Sequence, residues 1–173
     1  MANPPRRVCW DAWAFTELLN RFSAHHEHLK HIAAMAAVKR NPEVEIVTSS
    51  LAIAEVAGLL KHSETGQVVG QLDVTEIARM WRTARITRLD VTRAVARQAR
   101  DIVRGAAAER PQRKLIDGSD AIYLATASIL NADTLVTGDK ALLAHSGVQS
   151  VRICLPPVLY FDLNPVLRPT ESP

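Results

Sequence analysis

Short β-like runs alternate with longer helical stretches along this chain. That alternation predicts an α/β fold with a mainly parallel central sheet and helices on both faces. Two further observations agree. At 173 residues, with 47% apolar and 23% charged side chains, the chain is long enough for one packed core and too short for two. No internal repeat or low-complexity tract interrupts the pattern, which excludes fibrous and disordered classes.

Residues 1–6 and 164–173 are Pro-rich and polar and are expected to fray, leaving 7–163 as a single domain. Arg7 to Trp10 reads as the first strand. Ala12 to about Arg40 reads as a helix broken near Ser23, whose hydroxyl suits an N-cap. Glu45 to Thr48 is a second strand, about Ser50 to His62 a helix, Asp73 to Thr83 another helix, and Ile86 to Val91 a strand. Thr92 is expected to cap a helix through Arg104, with Gly105 as its stop. Ser119 to Asn131 is helical, Thr134 to Thr137 a strand, Lys140 to His145 a short helix and Val151 to Cys154 the last strand.

The longest unbroken apolar run, Ile32 to Val38, has seven residues, against roughly 20 needed to span a bilayer. Asp11 interrupts any signal-like segment after Arg6 and Arg7. A cytoplasmic protein with no membrane partner is expected. Cys9 and Cys154 are too few for a disulfide framework or a Cys-rich metal site, and read as buried, reduced thiols.

The net charge of +3 is uneven. Arg79 to Lys114 holds eleven Lys or Arg against three acids, a balance of +8, and the remainder holds ten bases against fifteen acids, a balance of −5. A basic stretch beside an acidic remainder suits either a polyanion binder or a solvated Arg-rich surface. Within it Arg93, Arg97, Arg100 and Arg104 are spaced to form one helical stripe opposite Val95, Ala99, Ile102 and Val103. His25, His26, His28 and His31 crowd another helix and read as an exposed face.

Four carboxylates fall at element ends. Asp11 follows the first strand, and Asp139 follows Leu135 to Thr137 after one glycine, so both belong at the carboxyl edge of a parallel sheet. Glu55 lies in the apolar helix after the second strand, and Asp120 opens a helix whose only other ionisable group before Asp133 is Tyr123. Each acid alone also suits a structural role as turn residue, cap or ion-pair partner. Together on one edge they repel by roughly 4 kcal/mol per pair at about 4 Å and an effective dielectric of 20. Protons, arginines or a divalent cation must neutralise them. An all-oxygen donor set suits Mg²⁺ or Mn²⁺.

These residues resemble the PIN-domain ribonucleases of the VapC toxin type. The resemblance rests on a strand ending in Asp11, on Thr48 to Glu55 (TSSLAIAE), on Asp120 to Ala127 (DAIYLATA) and on Leu135 to Asp139 (LVTGD), and it covers about residues 7–160. It implies a three-layer α/β/α sandwich and an acidic pocket for Mg²⁺ or Mn²⁺. Asp11, Glu55, Asp120 and Asp139 match the family's metal-binding, catalytic acids, and Thr137 matches the hydroxyl residue that helps organise them. Asp117 is an extra acid, read as a helix cap with membership of the cluster as the alternative. The activity implied is endonucleolytic RNA hydrolysis leaving a 5′-phosphate and a 3′-hydroxyl. The partners implied are an RNA substrate, a cognate antitoxin and a second copy of the chain. The family reading leaves the arginine stripe as an RNA contact or a solvated face, and Trp13 as a base-stacking platform or a packed residue. Family members often carry Thr and then Ser or Asn after the first Asp, where this chain has Ala12 and Trp13. Two other readings share the fold: a housekeeping RNA-processing nuclease, and a weakly catalytic PIN domain that binds proteins.

Overall fold

The computed structural model describes residues 6–38, 44–56, 59–61, 65, 67–71, 74–83, 86–109, 116–145 and 148–156. The elements in chain order are β1 (Arg6–Trp10), α1 (Ala12–Leu19), α2 (His26–Ala36), β2 (Val44–Ser49), α3 (Ala52–Glu55), β3 (Leu59–Lys61) and β4 (Val68–Gln71). They continue with α4 (Val74–Thr83), β5 (Thr87–Leu89), α5 (Arg93–Glu109), α6 (Gly118–Ile129), β6 (Thr134–Val136), α7 (Lys140–Leu143), a 3₁₀ turn (Val148–Ser150) and β7 (Arg152–Cys154).

Five strands form one sheet in the order β5-β2-β1-β6-β7, and every neighbouring pair is parallel. Val8, Cys9 and Trp10 of the middle strand are all fully buried, so both faces of the sheet are covered. Alternation along the strand sends these side chains to opposite faces. Cys9 Sγ donates to the Tyr123 carbonyl of α6 at 3.9 Å, whereas the Trp10 ring meets Phe15 of α1 edge-on at 5.3 Å, and Phe15 meets Trp81 of α4 at 5.7 Å. Burying a side chain such as Phe15 contributes about 1.5–3 kcal/mol. The α/β class and its parallel sheet are therefore as the alternation predicts.

α6 is the apolar helix against the sheet, with Ala121, Tyr123, Leu124, Ala125, Thr126 and Ala127 buried. α5 packs on it through the buried side of Val95, Ala99, Ile102 and Ala106, and Gln98 Nε2 donates to Ser128 Oγ at 2.9 Å. Asn131, in the left-handed region at φ 50°, ends α6 as Asn tolerates, and the Ala132 amide closes back on the Ala127 carbonyl at 2.8 Å.

Several elements differ from the sequence reading. Arg6, assigned to the fraying end, is the first residue of β1 and pairs with Val44. The helix expected from Ser50 to His62 is a single turn, and Leu59–Lys61 instead pairs antiparallel with β4 as a separate two-stranded sheet. A short apolar run does not distinguish helix from strand by periodicity. α5 runs through Gly105 to Glu109. A mid-helix glycine costs about 1 kcal/mol, and the alanines after it, with Ala106 buried, keep the helix going. The α1–α2 break is real, but Ser23 does not cap α2. Its hydroxyl accepts from the His25 amide at 2.9 Å, and His25 is the N-cap. Residues 1–5 and 157–173, which hold the rest of the expected tails, lie outside the described residues. No helix among the described residues is long and apolar enough to cross a membrane.

Candidate active site

The chain leaves β1 in one direction across the sheet, to β2 and then β5, and in the other through β6 to β7. The order reverses between β1 and β6, and the crevice at the carboxyl ends of such a pair is where open α/β sheets bind ligands. Asp11 stands there. It directly follows Trp10, and its amide donates to the Val136 carbonyl at 3.4 Å.

The Asp11 side chain is buried and caps α1, accepting from the Ala14 amide at 2.9 Å. Its carboxyl is pushed up from the ordinary 3.8 to about 7. Burial is the main cause, and hydrogen bonds from Thr137 and Ala14 pull it partly back while the charges of Asp120 and Glu55 push it further up. Thr137 is fully buried just past β6. Its hydroxyl accepts from the Asp139 amide at 2.9 Å and hydrogen-bonds Asp11, so one side chain links the first and last acids. Asp139 caps α7, its Oδ1 accepting from the Ala141 and Leu142 amides.

A helix that feeds a parallel strand runs back towards the carboxyl edge at its N-terminus, and there Asp120 lies half-buried in the first turn of α6. Asp117 is the N-cap of that helix, accepting from the Asp120 amide at 2.9 Å and from Ser119 Oγ at 3.0 Å, the capping role chosen from the sequence. Glu55 was expected in an apolar setting. It is exposed instead, because α3 is only one turn long. The Tyr123 hydroxyl donates to its Oε2 at 2.8 Å. Tyr123 is a partner of a candidate site acid that sequence reasoning missed. Its signal was there: it is the lone ionisable group inside an otherwise apolar helix, three residues past Asp120 and so on the same face. Burial foremost, then the Glu55 bond, pushes its phenol well above the usual tyrosine range.

Asp11 thus lies within the electrostatic reach of Asp120 and Glu55 and is tied through Thr137 to Asp139. Among the described residues no three His, Cys, Asp or Glu side chains are gathered closely enough to form a metal-binding group. The donor chemistry fits a hard divalent cation. All donors are carboxylate or hydroxyl oxygens, and the central one is buried where its negative charge needs a counterion.

Trp13 does not stand free as a stacking platform. It is half-buried, its ring meets His25 edge-on at 5.2 Å, and it covers Gly138, where an added Cβ would lie 2.2 Å from indole Cε2. Gly138→Ala is expected to cost about 1–3 kcal/mol through overpacking, read as a lowered urea midpoint. Adding Trp13→Ala should relieve the clash, and an unchanged midpoint in the single variant would refute the packing. The histidine run is not a purely exposed face either: His25, His26 and His28 are half-buried, and His26 Nδ1 lies 2.7 Å from the Leu18 carbonyl. The four stripe arginines are all exposed, with Arg100 turned onto Asp101 at 2.7 Å. Gln98 anchors α5 at Ser128, eight residues and so about 12 Å along α6 from Asp120.

Residues 8–147 match the PIN domain family. None of the curated proteins compared matches the sequence. Solved structures that share the fold include the following three. One is VapC20 of Mycobacterium tuberculosis, described as a toxin that cleaves the sarcin–ricin loop, at 19% identity and TM-score 0.55 over 84% of this chain and 98% of that one. Another is VapBC2 of Rickettsia felis, bound to a DNA fragment from its promoter, at 15% identity and TM-score 0.57 over 86% and 98%. The third is FitAcB of Neisseria gonorrhoeae at 16% identity and TM-score 0.52 over 86% and 97%. With Asp11 at the switch point of a five-stranded parallel sheet and a family match that spans most of its length, the chain belongs to the PIN domain family.

Proposed function

We propose that this chain is a Mg²⁺- or Mn²⁺-dependent endoribonuclease and the toxin of a type II toxin–antitoxin pair, acting in the cytoplasm. The observation that carries the reading is the buried Asp11 carboxylate at the switch point, in the field of Asp120 and Glu55. The likeness to VapC20, described as a toxin, supports the toxin assignment. The substrate is RNA, the regulatory partner is a separate antitoxin chain, and the active form is a homodimer.

Asp11, Asp120, Asp139 and Glu55 would hold the cation. When bound it supplies a lowered water pKa and neutralises charge at the scissile phosphate. The chain's own residues do the positioning. Thr137 holds Asp11 and the Asp139 backbone in one register, and the α7 amides fix the Asp139 carboxylate. Glu55 completes the ligand set or orients the attacking water. Exposed arginines of α5 offer a phosphate track, whose binding falls steeply with salt.

The test is cleavage of a mixed RNA pool by the purified protein. Cleavage with Mn²⁺ or Mg²⁺ that EDTA stops is expected. No cleavage under varied metals and RNAs, together with tight binding to another protein, would leave a PIN fold used for binding. A small open reading frame directly upstream encoding an inhibitor is the expected genomic setting, and its absence would point to the housekeeping nuclease.

A further inference from the structure

Glu55 is the most loosely founded of the four acids. It is exposed, it sits on a helix of one turn, and among the described residues its carboxylate has a single hydrogen-bond partner, Tyr123. Tyr123 is the opposite. It is 2% exposed, held in the apolar middle of α6, and its carbonyl takes the Cys9 thiol from the middle strand. The ring therefore has one place to be. Its hydroxyl reaches out of the core and donates to Glu55 Oε2 at 2.8 Å. Asp120 lies three residues earlier on the same helix, so one rigid element both carries an acid and restrains another.

We propose that Tyr123 is a positioning residue of this site, its hydroxyl fixing the Glu55 carboxylate against α6 so that Oε1 is the oxygen presented to the cation or water. The role rests on the nuclease reading for its purpose and on the hydrogen bond for its geometry. Without the hydroxyl, Glu55 samples many rotamers on an exposed turn, and holding it in a productive one costs conformational entropy. Partners that orient a metal ligand typically change metal affinity or activity by 10–100-fold when removed.

Tyr123→Phe deletes one hydroxyl and leaves the buried ring, so α6 keeps its packing. Three readouts on the full chain test the role. First, hydrogen exchange of the metal-free protein should quicken at the amides of residues 53–56 and stay unchanged along α6. Second, Mn²⁺ titrated into the protein alone should bind roughly 10-fold more weakly, and kcat on RNA should fall about 10–100-fold with KM unchanged. Third, in a Glu55→Gln background Tyr123→Phe should add little further loss, because the group it positions is already gone.

Exchange unchanged at residues 53–56 overturns the proposal, whatever the nuclease assay shows. Equal losses from Tyr123→Phe with and without Glu55→Gln also overturn it and assign the tyrosine to packing. If the wild-type protein neither binds Mn²⁺ nor cleaves RNA, the nuclease reading fails on its own. The exchange difference then still decides whether Tyr123 fixes Glu55.

Discussion

In metal-free protein, Asp11→Asn is expected to become more stable than the wild type by about 4 kcal/mol as pH rises from 4 to above 7. Asp11 ionises near 3.8 in the unfolded chain and near 7 in the folded one. Between those values the folded state binds more protons, so wild-type stability falls as pH rises through the window and stays low above it. About three pH units at 1.36 kcal/mol each set the size. For a chain this long that corresponds to a melting difference on the order of 10 °C. Asparagine keeps the cap on the Ala14 amide without carrying a charge. His25 acts in the other direction. Burial foremost holds it below its usual 6.5, with His28 assisting and Glu17 opposing, so its contribution grows as pH rises towards 6.5. It is common to both proteins and cancels in their difference. Melts of the two proteins at pH 4, 5.5, 7 and 8.5 with a chelator read the effect directly. A difference that stays flat with pH would mean that Asp11 is not a carboxylate ionised against burial. Added Mn²⁺ should restore stability to the wild type at pH 8.5 and do little for the variant.

Asp120→Asn is expected to lower metal-dependent RNA cleavage by roughly 10²–10³-fold, the scale on which preorganised electrostatic groups act, and to leave the fold intact. The substitution is isosteric, and Asp117 caps α6 through the backbone amide of residue 120, which is unchanged. One of the charges that pushes the Asp11 carboxyl up also disappears, so the variant should be slightly more stable above pH 7. Gel assays in Mn²⁺ at equal protein, paired with thermal melts, separate lost chemistry from lost structure. Cleavage that survives both Asp120→Asn and EDTA would rule out the four-acid mechanism and point to a copurified nuclease or another site.

Legibility differed sharply between parts of the site. Asp11, Thr137 and Asp139 were readable because each lies within three residues of a strongly apolar strand, and a parallel strand assigns its carboxyl end without further knowledge. Asp117 was readable because capping is local chemistry, settled within three residues. Glu55 was placed on the right edge but in the wrong environment, since its surroundings depend on where α3 stops. That stop is followed by a strand whose partner, β4, begins seven residues after β3 ends. Tyr123 as a partner of Glu55 was out of reach, because the two are 68 positions apart. Trp13 on Gly138 was out of reach for the same reason.

The uneven charge now divides into parts with different origins. Some of the acidic surplus is structural and lies away from the acids of the site. Arg7 Nε meets Glu45 Oε2 at 2.8 Å, and the Arg7 amide donates to Asp133 Oδ2 at 2.9 Å. Half-exposed pairs of this kind contribute about 0–1 kcal/mol. The cost falls on Asp11, whose burial makes its carboxyl resist ionisation.

The sequence by itself determined the α/β class, the parallel sheet and the placement of Asp11 and Asp139 past the carboxyl ends of their strands. Those follow from apolar periodicity and from carboxylates placed at element ends, which are local properties. Tertiary structure alone decided the strand order, and with it that β1 and β6 are neighbours and that Asp11 stands at their crevice. It also decided that Thr137 links the first and last acids and that a buried tyrosine restrains the exposed one. Each of these is a contact between residues far apart in the chain. Which distant groups meet is set by how layers pack and bury apolar surface, not by the residues on either side.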